Sequence, residues 1–199
     1  MPRSSAEAAA QTRQTIIEAG TRQASLEGLE GLTIGRLAET LKLSKAGVIG
    51  PFGSKQQLQL AVLEAANDIF VTNVWRPAAD QPAGLARLRA ICKHWVSYLI
   101  DCPLPGGCFI CTTSTEWDGR EGPVREAVVT AQRRWLSVLR SEVDVAARAG
   151  ELPANTNPDQ VTFQLNALAI GLNQAVQLFG DQTAAGLALT SMAALLDGA

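Results

Sequence analysis

The sequence predicts an all-α fold. Apolar residues recur at helical spacing along most of the chain, whereas the alternating pattern that is typical of β-strands is nearly absent. Of the 199 residues, 47% are hydrophobic and 18% are charged, a balance that indicates a well-buried core and argues against disorder. Caps, prolines and glycines divide the apolar pattern into about nine helices, most of them joined by short loops.

Four helices are predicted in the N-terminal third. The first runs from about residue 6 to residue 25 and ends in the glycine-bearing stretch 27–31. The hydroxyls of Thr33 and Ser44 can each accept a hydrogen bond from a free backbone amide, so each is expected to cap a short helix. Ser54 offers the same cap to a longer fourth helix.

Five more helices are predicted in the rest of the chain. Proline suits the first turn of a helix, so Pro82 is expected to lie in the first turn of the fifth. The five predicted spans are 82–99, 108–117, 123–150, 157–179 and 182–196.

Charge is distributed unevenly along the chain. The net charge is -2, so the molecule as a whole is not a polycation. Residues 1–60 nevertheless carry seven Lys and Arg against five Asp and Glu, whereas residues 61–199 carry ten against fourteen. A nucleic-acid contact is therefore expected in the N-terminal part. With neither a secretion signal nor a membrane span in the pattern, a cytoplasmic location is expected.

The most informative pattern lies in residues 33–52. Two short capped helices are separated by a turn of a few residues, which is typical of a helix-turn-helix. The N-terminal turn of the second helix would then face DNA, with Ser44 and Lys45 near phosphate. The alternative is an ordinary helical hairpin, which the spacing alone allows equally well.

Several spaced motifs lie in and around this segment. They are Thr12–Ala19, Leu32–Ile34, Leu37–Ala38, Leu43–Lys45, Phe52–Lys55, Leu58 and Ala61–Leu63. Together they resemble the N-terminal domain of tetracycline-repressor-like (TetR) transcriptional regulators. The resemblance covers about residues 10–65, and the total length and the all-helical remainder of the chain are also similar to that family. It implies a helix-turn-helix DNA-binding domain in residues 1–55 and a helical regulatory, ligand-binding and dimerisation domain in residues 56–199.

The resemblance implies a recognition helix at Ser44–Gly50. Hydroxyls and cations near it can bind phosphate, whereas small and apolar side chains favour thymine methyl groups and DNA shape. Capping alone is the alternative for the hydroxyls, and a solvated surface is the alternative for the cations. Arg13 ranks below the other candidates. The expected DNA-contacting residues are Thr33, Arg36, Ser44, Lys45, Ala46, Gly47, Ile49 and Lys55.

Three features depart from the family pattern. The chain has Ile49-Gly50-Pro51-Phe52 where the family usually has a Tyr/Phe-x-His-Phe segment, so a phenol or imidazole that commonly contacts phosphate is missing. Pro51 is expected to disfavour the α conformation at Gly50 and to shorten the recognition helix. Lys42 stands where the family often has glycine in the turn, and a left-handed residue there would cost about 1–2 kcal/mol.

The resemblance also implies an effector cavity and a two-fold dimer. Trp95, Tyr98, Phe109, Trp117, Trp135 and Phe163 are the aromatic candidates for the cavity, with Asn166 and Asn173 as polar ones. The alternative for the aromatic residues is core packing, and the amides could instead cross a dimer interface or face water. The expected interface residues are Leu165, Leu168, Leu172, Val176, Phe179, Leu189 and Met192, for which intramolecular core is the alternative.

Catalysis and metal binding are not expected. The single histidine, His94, has no catalytic partners at interpretable spacing, and Glu116, Asp118 and Glu121 are interpreted as a solvated loop. The cysteines are interpreted as small buried hydrophobes, with a redox switch as the alternative and a zinc site disfavoured. No cofactor is expected. The four cysteines are Cys92, Cys102, Cys108 and Cys111.

The function expected from these features is that of a homodimeric repressor. It would bind a near-palindromic operator and release it when a small-molecule effector binds. One alternative is a helical small-molecule-binding protein of the same fold that has lost specific DNA binding. The other is a thiol-based redox sensor.

Overall fold

A computed structural model describes residues 5–197 of the chain. Within them the regular structure is entirely helical, as predicted. None of these helices combines the length and apolar character needed to cross a bilayer. The helices are α1 (Ser5–Glu27), α2 (Ile34–Leu41), α3 (Lys45–Ile49), α4 (Lys55–Phe70), α5 (Arg76–Ala79), α6 (Leu85–Ile100), α7 (Phe109–Glu116), α8 (Pro123–Arg148), α9 (Pro158–Phe179) and α10 (Ala184–Asp197).

The prediction of about nine helices is confirmed when helices that follow one another without a break are counted as one. A π-helical turn at Val71–Trp75 joins α4 to α5 without a break. The described residues therefore form nine continuous helical rods. The π-helical turn itself has no signal in the apolar spacing.

Caps that the sequence predicts begin several helices. The Ser44 hydroxyl accepts a 2.9 Å hydrogen bond from the Gly47 amide at the start of α3, and Ser54 and Asn157 cap α4 and α9 in the same way. Thr33 occupies the N-cap position of α2 with extended backbone, but its hydroxyl makes no capping hydrogen bond. The predicted side-chain cap at Thr33 is therefore wrong; the residue is exposed, so water can satisfy the first amides of α2.

The start of α6 differs from the prediction. Pro82 precedes the helix, and Gly84 occupies its N-cap position with a φ of 99°. The Gly84 amide donates to Glu142 and the Leu85 amide donates to Glu151, both at 2.9 Å. Distant carboxylates thus fix the point at which α6 begins, which local sequence could not reveal.

The chain divides into two compact units. The first comprises the chain up to Asp68 together with Leu104–Val129, and the second comprises Ile69–Pro103 and the chain from Thr130 on. This division differs from the expected functional boundary between residues 55 and 56, because α7 belongs to the first unit. The functional boundary stays a prediction.

Each unit has its own apolar core. In the first unit, α1, α2, α3 and α4 each contribute fully buried side chains. The second unit buries the inner faces of α6, α8, α9 and α10. Fully buried examples are Ile16, Leu37, Val48 and Leu58 in the first unit, and Leu88, Leu99, Leu139, Leu165 and Met192 in the second.

Candidate DNA-binding site and regulatory surfaces

The turn between α2 and α3 is closed by Lys42. Its backbone is left-handed, with φ 54° and ψ 39°, and Lys42 is the only residue other than glycine with positive φ among those described. The Leu43 amide donates to the Ala38 carbonyl at 2.9 Å and the Lys42 amide donates to the Glu39 carbonyl at 3.3 Å. These two bonds form a Schellman motif, which ends α2 sharply and turns the chain into α3.

The second helix of the motif, α3, is only five residues long. It ends at Ile49, as expected for a helix shortened by Pro51. Gly50, however, keeps α-helical angles of φ -50° and ψ -47°, so the expected departure from the α region is wrong. Glycine has no Cβ to clash with the following proline ring, which removes much of the restriction.

α3 buries one face and exposes another. Val48 is fully buried, whereas Ser44, Lys45 and Ala46 are exposed and Gly47 and Ile49 are half-buried. The stem of Lys45 lies beside α2, since a Cβ added at Gly35 would be 3.7 Å from its Cε. Burial of Val48 leaves the adjacent polar and small residues facing outward.

The other cations expected at DNA lie near carboxylates. Arg36 forms an ion pair with Glu27. The Lys55 ammonium donates to the Glu30 carbonyl at 2.8 Å and lies 3.7 Å from the Glu30 carboxylate. Lys45 has no such ion pair among the described residues, so its charge is the most available of the three.

The sequence does not predict that Glu116 binds the loop that precedes α2; we call this contact the Glu116 clamp. The carboxylate of Glu116, at the end of α7, accepts hydrogen bonds from the amides of Leu29 and Glu30, both at 2.8 Å. Gly28 is left-handed with φ 79°, and a Cβ there would be 2.9 Å from Glu116 Oε1. The interpretation of Glu116 as a solvated loop residue is therefore wrong.

Three of the aromatic effector candidates meet in the second unit. Trp95, Tyr98 and Trp135 surround Phe70, with ring centroids 6.1, 5.5 and 4.8 Å from its own in edge-to-face geometry. The buried indole N–H groups of Trp95 and Trp135 have no hydrogen-bond partner among the described residues. Phe70 was not among the expected residues, although it shares the helical spacing of α4.

The remaining effector candidates lie elsewhere. Phe109 and Trp117 are buried in the first unit. Phe163 is 73% exposed on the outer face of α9, so its assignment to the effector site is withdrawn. Asn166 borders an open groove on the surface of the second unit, and Asn173 is half-buried.

The expected dimer residues separate into two groups. Leu165, Leu172, Val176 and Met192 are buried within the protomer, which corrects their assignment to the interface. Helices that are apolar on several sides give a periodicity that does not distinguish the core face from an outer one. Phe179 and Leu189 are exposed, and Leu168 is half-buried.

An unpartnered apolar surface covers α9 and α10. Six of the seven exposed large hydrophobic residues among those described lie on these helices, and between them runs an open groove of about 720 Å³. Exposed apolar residues grouped around a groove are typical of interaction sites. We call this the α9/α10 surface; its exposed residues are Phe163, Ile170, Leu178, Phe179 and Leu187. Leu189 lies about 200° around α10 from Leu187 and does not line the groove.

The four cysteines differ in their burial. Burial raises the pKa of the Cys92 thiol to about 12, so it is fully protonated at neutral pH. Cys108 is buried, and Cys102 and Cys111 are half-buried. Among the described residues, no group of three or more His, Cys, Asp and Glu side chains could hold a metal ion.

Comparison with known proteins agrees with this architecture. The family described as "Bacterial regulatory proteins, tetR family" matches residues 16–62, and "Tetracyclin repressor-like, C-terminal domain" matches residues 84–192. No functionally curated protein matches the chain in sequence.

Solved structures share the fold over nearly the whole chain. A TetR regulator from Chloroflexus aurantiacus is 24% identical, with a TM-score of 0.86 and coverage of 94% of each chain. A TetR-family regulator from Cytophaga hutchinsonii is 20% identical, with a TM-score of 0.82 and coverage of 95% of this chain and 94% of that one. AibR, solved in complex with isovaleryl coenzyme A and operator DNA, is 17% identical, with a TM-score of 0.73 and coverage of 92% and 97%.

The family match to residues 84–192 alone covers more than half of the sequence, and the match to residues 16–62 includes α2, α3 and the turn between them. The chain belongs to the TetR family of transcriptional regulators, which are DNA-binding transcription factors and not enzymes.

Proposed function

We propose that this protein is a cytoplasmic, homodimeric repressor that binds a near-palindromic operator and releases it when a small molecule binds. The observation that carries the proposal is the α2–α3 pair. Ser44 caps α3 and Val48 anchors it, while Lys45 and Ala46 face outward. This is the arrangement that a recognition helix needs in order to enter a major groove.

Operator recognition is proposed to combine phosphate contacts with a reading of shape. Thr33, Ser44 and Lys45 supply hydroxyl and ammonium groups for phosphate, and Arg36 and Lys55 would exchange carboxylate partners for it. Ala46, Gly47 and Ile49 offer little hydrogen bonding to bases, so thymine methyl groups and DNA deformability are the sequence features they favour.

Dimerisation is proposed to use the α9/α10 surface. Pairing this surface with its copy across a two-fold axis would form a four-helix interface and remove its exposed side chains from water. A two-fold dimer presents two recognition helices to successive major grooves, about 34–36 Å apart along the duplex. An operator with matching half-sites follows from this symmetry.

The effector is proposed to contact the aromatic cluster of Phe70, Trp95, Tyr98 and Trp135. The indole N–H groups of Trp95 and Trp135, which have no acceptor in the part of the chain that the structure describes, would bind a carbonyl or similar oxygen of the ligand. AibR, which shares the fold, was crystallised with an acyl-coenzyme A and operator DNA. An effector that binds better to the state with low DNA affinity would release the operator.

Selection of bound duplexes from random DNA tests this proposal. The protein should enrich a near-palindromic sequence, and small-molecule extracts added to the selected complex should include at least one that releases it. Failure to enrich any sequence would contradict operator recognition, and release by none of the extracts would contradict the effector step.

A further inference from the structure

Arg13 differs in its surroundings from three other cations of the first unit. Arg36 pairs with Glu27, and Lys55 and Arg120 lie near the Glu30 carboxylate. Arg13 is exposed on α1, and no carboxylate pairs with it within residues 5–197. Its charge is therefore available to an anion outside the protein.

Phe52 holds the Arg13 side chain in place. The guanidinium carbon lies over the Phe52 ring, 5.0 Å from its centroid, which is within the range of a cation–π contact. Phe52 lies three residues beyond the end of α3, and its amide donates to the Ile49 carbonyl at 2.9 Å. The contact therefore fixes the guanidinium beside the C-terminal end of α3.

A groove about 570 Å³ in volume runs between α1 and α3 at this position. Its walls are small side chains, which leave space for a bulky group from outside. Among the described residues that line it, Arg13 is the only charged one. The residues that form the groove include Ala9, Ala10 and Arg13 from α1, and Ala46, Gly47 and Gly50 from α3 and its C-cap.

Polar groups are scarce at this end of α3. Ile49, Gly50 and Pro51 have no side-chain hydrogen-bond donor, and Pro51 has no backbone donor either. Any charged contact to a DNA backbone lying along this end must come from a neighbouring element. Arg13 is the cation that the groove brings there.

We propose that Arg13 is a further DNA contact of this protein, with its guanidinium binding an operator phosphate that enters the groove between α1 and α3. The inference rests on the proposed DNA-binding function. A guanidinium offers two parallel N–H donors to phosphate, and stacking on Phe52 leaves its edge free for them. Arg13 thus supplies, from α1, the charge that the end of α3 lacks.

Salt dependence of DNA binding tests this inference. The probe is a fluorescent duplex selected from random DNA by the wild-type protein, and its dissociation constant is measured between about 50 and 200 mM salt. The variants are Arg13→Gln, Arg13→Lys and Arg22→Gln. Arg22 is the matched control, since it is exposed on the same helix but neither lines the groove nor stacks on Phe52.

Arg13→Gln should weaken binding by about tenfold and lower the salt slope by about 0.9 per protomer, hence about 1.8 for a dimer. Arg13→Lys should keep the slope, and Arg22→Gln should match the wild type. An unchanged slope in Arg13→Gln, or equal slope losses in Arg13→Gln and Arg13→Lys, would overturn the role of Arg13 and leave the proposed function intact. Absence of salt-dependent binding by the wild type would instead overturn the proposed function.

Discussion

The carboxylate of Glu116 accepts a 2.8 Å hydrogen bond from the backbone amide of Leu29, across 87 residues of sequence. The same carboxylate accepts from the Glu30 amide at 2.8 Å. These bonds fix the loop that leads from α1 into α2. Because α2 packs against α3, the orientation of α3 depends on a side chain of α7.

Replacing Glu116 with alanine should destabilise the first unit. The amides of Leu29 and Glu30 would lose their acceptor. The Leu29 amide is half-buried, so leaving it without an acceptor costs more than for the exposed Glu30 amide. We therefore expect the free energy of unfolding to fall by about 1–2 kcal/mol. Urea denaturation measures this loss. Glu121→Ala is the control, because Glu121 is exposed and none of the hydrogen bonds described involves it; equal losses in the two variants would contradict the role of Glu116.

Gly28→Ala tests the Glu116 clamp by adding a methyl group at the residue that lies against the Glu116 carboxylate. With a left-handed φ of 79°, Gly28 cannot take a side chain without backbone strain, and an added Cβ would lie 2.9 Å from Glu116 Oε1. Gly53 has a similar φ of 77° but no atom within 4 Å of an added Cβ. Both alanine variants should lose about 1–2 kcal/mol from backbone strain, and Gly28→Ala should lose more. A loss in Gly28→Ala no greater than that in Gly53→Ala would count against the steric part of the argument.

Comparison of these sites with the sequence shows what local pattern can predict. The Ser44 cap and the helix start at Asn157 depend on neighbouring residues, so residue types and spacing predict them. The Glu116 clamp and the carboxylates at Gly84 and Leu85 depend on contacts across more than 50 residues. No local pattern carries that information.

The faces of α9 and α10 show a second limit on sequence reasoning. Met192 and Leu165 are buried, whereas Phe163 and Leu187 are exposed, although all four are large and apolar. Periodicity distinguishes polar from apolar faces, but it does not distinguish one apolar face from another when a helix has two. The three-dimensional packing was needed to separate core from surface.

Lys45→Ala should weaken operator binding without changing sequence preference. An ammonium at phosphate contributes counterion release to affinity and carries no base information, so the salt slope should fall by about 0.9 per protomer. Fluorescence anisotropy titrations at several salt concentrations measure this slope. Lys93→Ala, an exposed lysine on α6, should leave the slope unchanged; a slope that stays constant in Lys45→Ala would remove Lys45 from the phosphate contacts.

Leu187→Glu should dissociate the proposed dimer. Leu187 is 70% exposed on α10, so glutamate is tolerated in the protomer but places a charge in the apolar interface. Sedimentation velocity should show monomers for this variant and dimers for the wild type. Leu26→Glu is the control, since Leu26 is 64% exposed but lies on α1. Dimers of Leu187→Glu at the wild-type concentration would place the interface elsewhere.

The Cys92 thiol should resist alkylation in the folded protein. Burial raises its pKa from 9.0 to about 12, so the reactive thiolate is scarce at pH 8. Mass spectrometry after iodoacetamide treatment should show modification of Cys92 only in denaturant. The same shift makes stability decrease as pH rises from about 9 towards 12, because the unfolded thiol releases its proton first. Replacing Cys92 with alanine should remove that part of the decrease, and rapid native alkylation would contradict the assigned burial.

Hydroxyl-radical footprinting on a selected operator is the most direct test of the central claim that two copies of α3 lie in one duplex. Two protected tracts related by two-fold symmetry are expected, with centres about 10–10.5 base pairs apart, or a multiple of that spacing. Leu187→Glu should lose both tracts at protein concentrations where the wild type protects them. A single protected tract, or no protection at low salt, would contradict the claim.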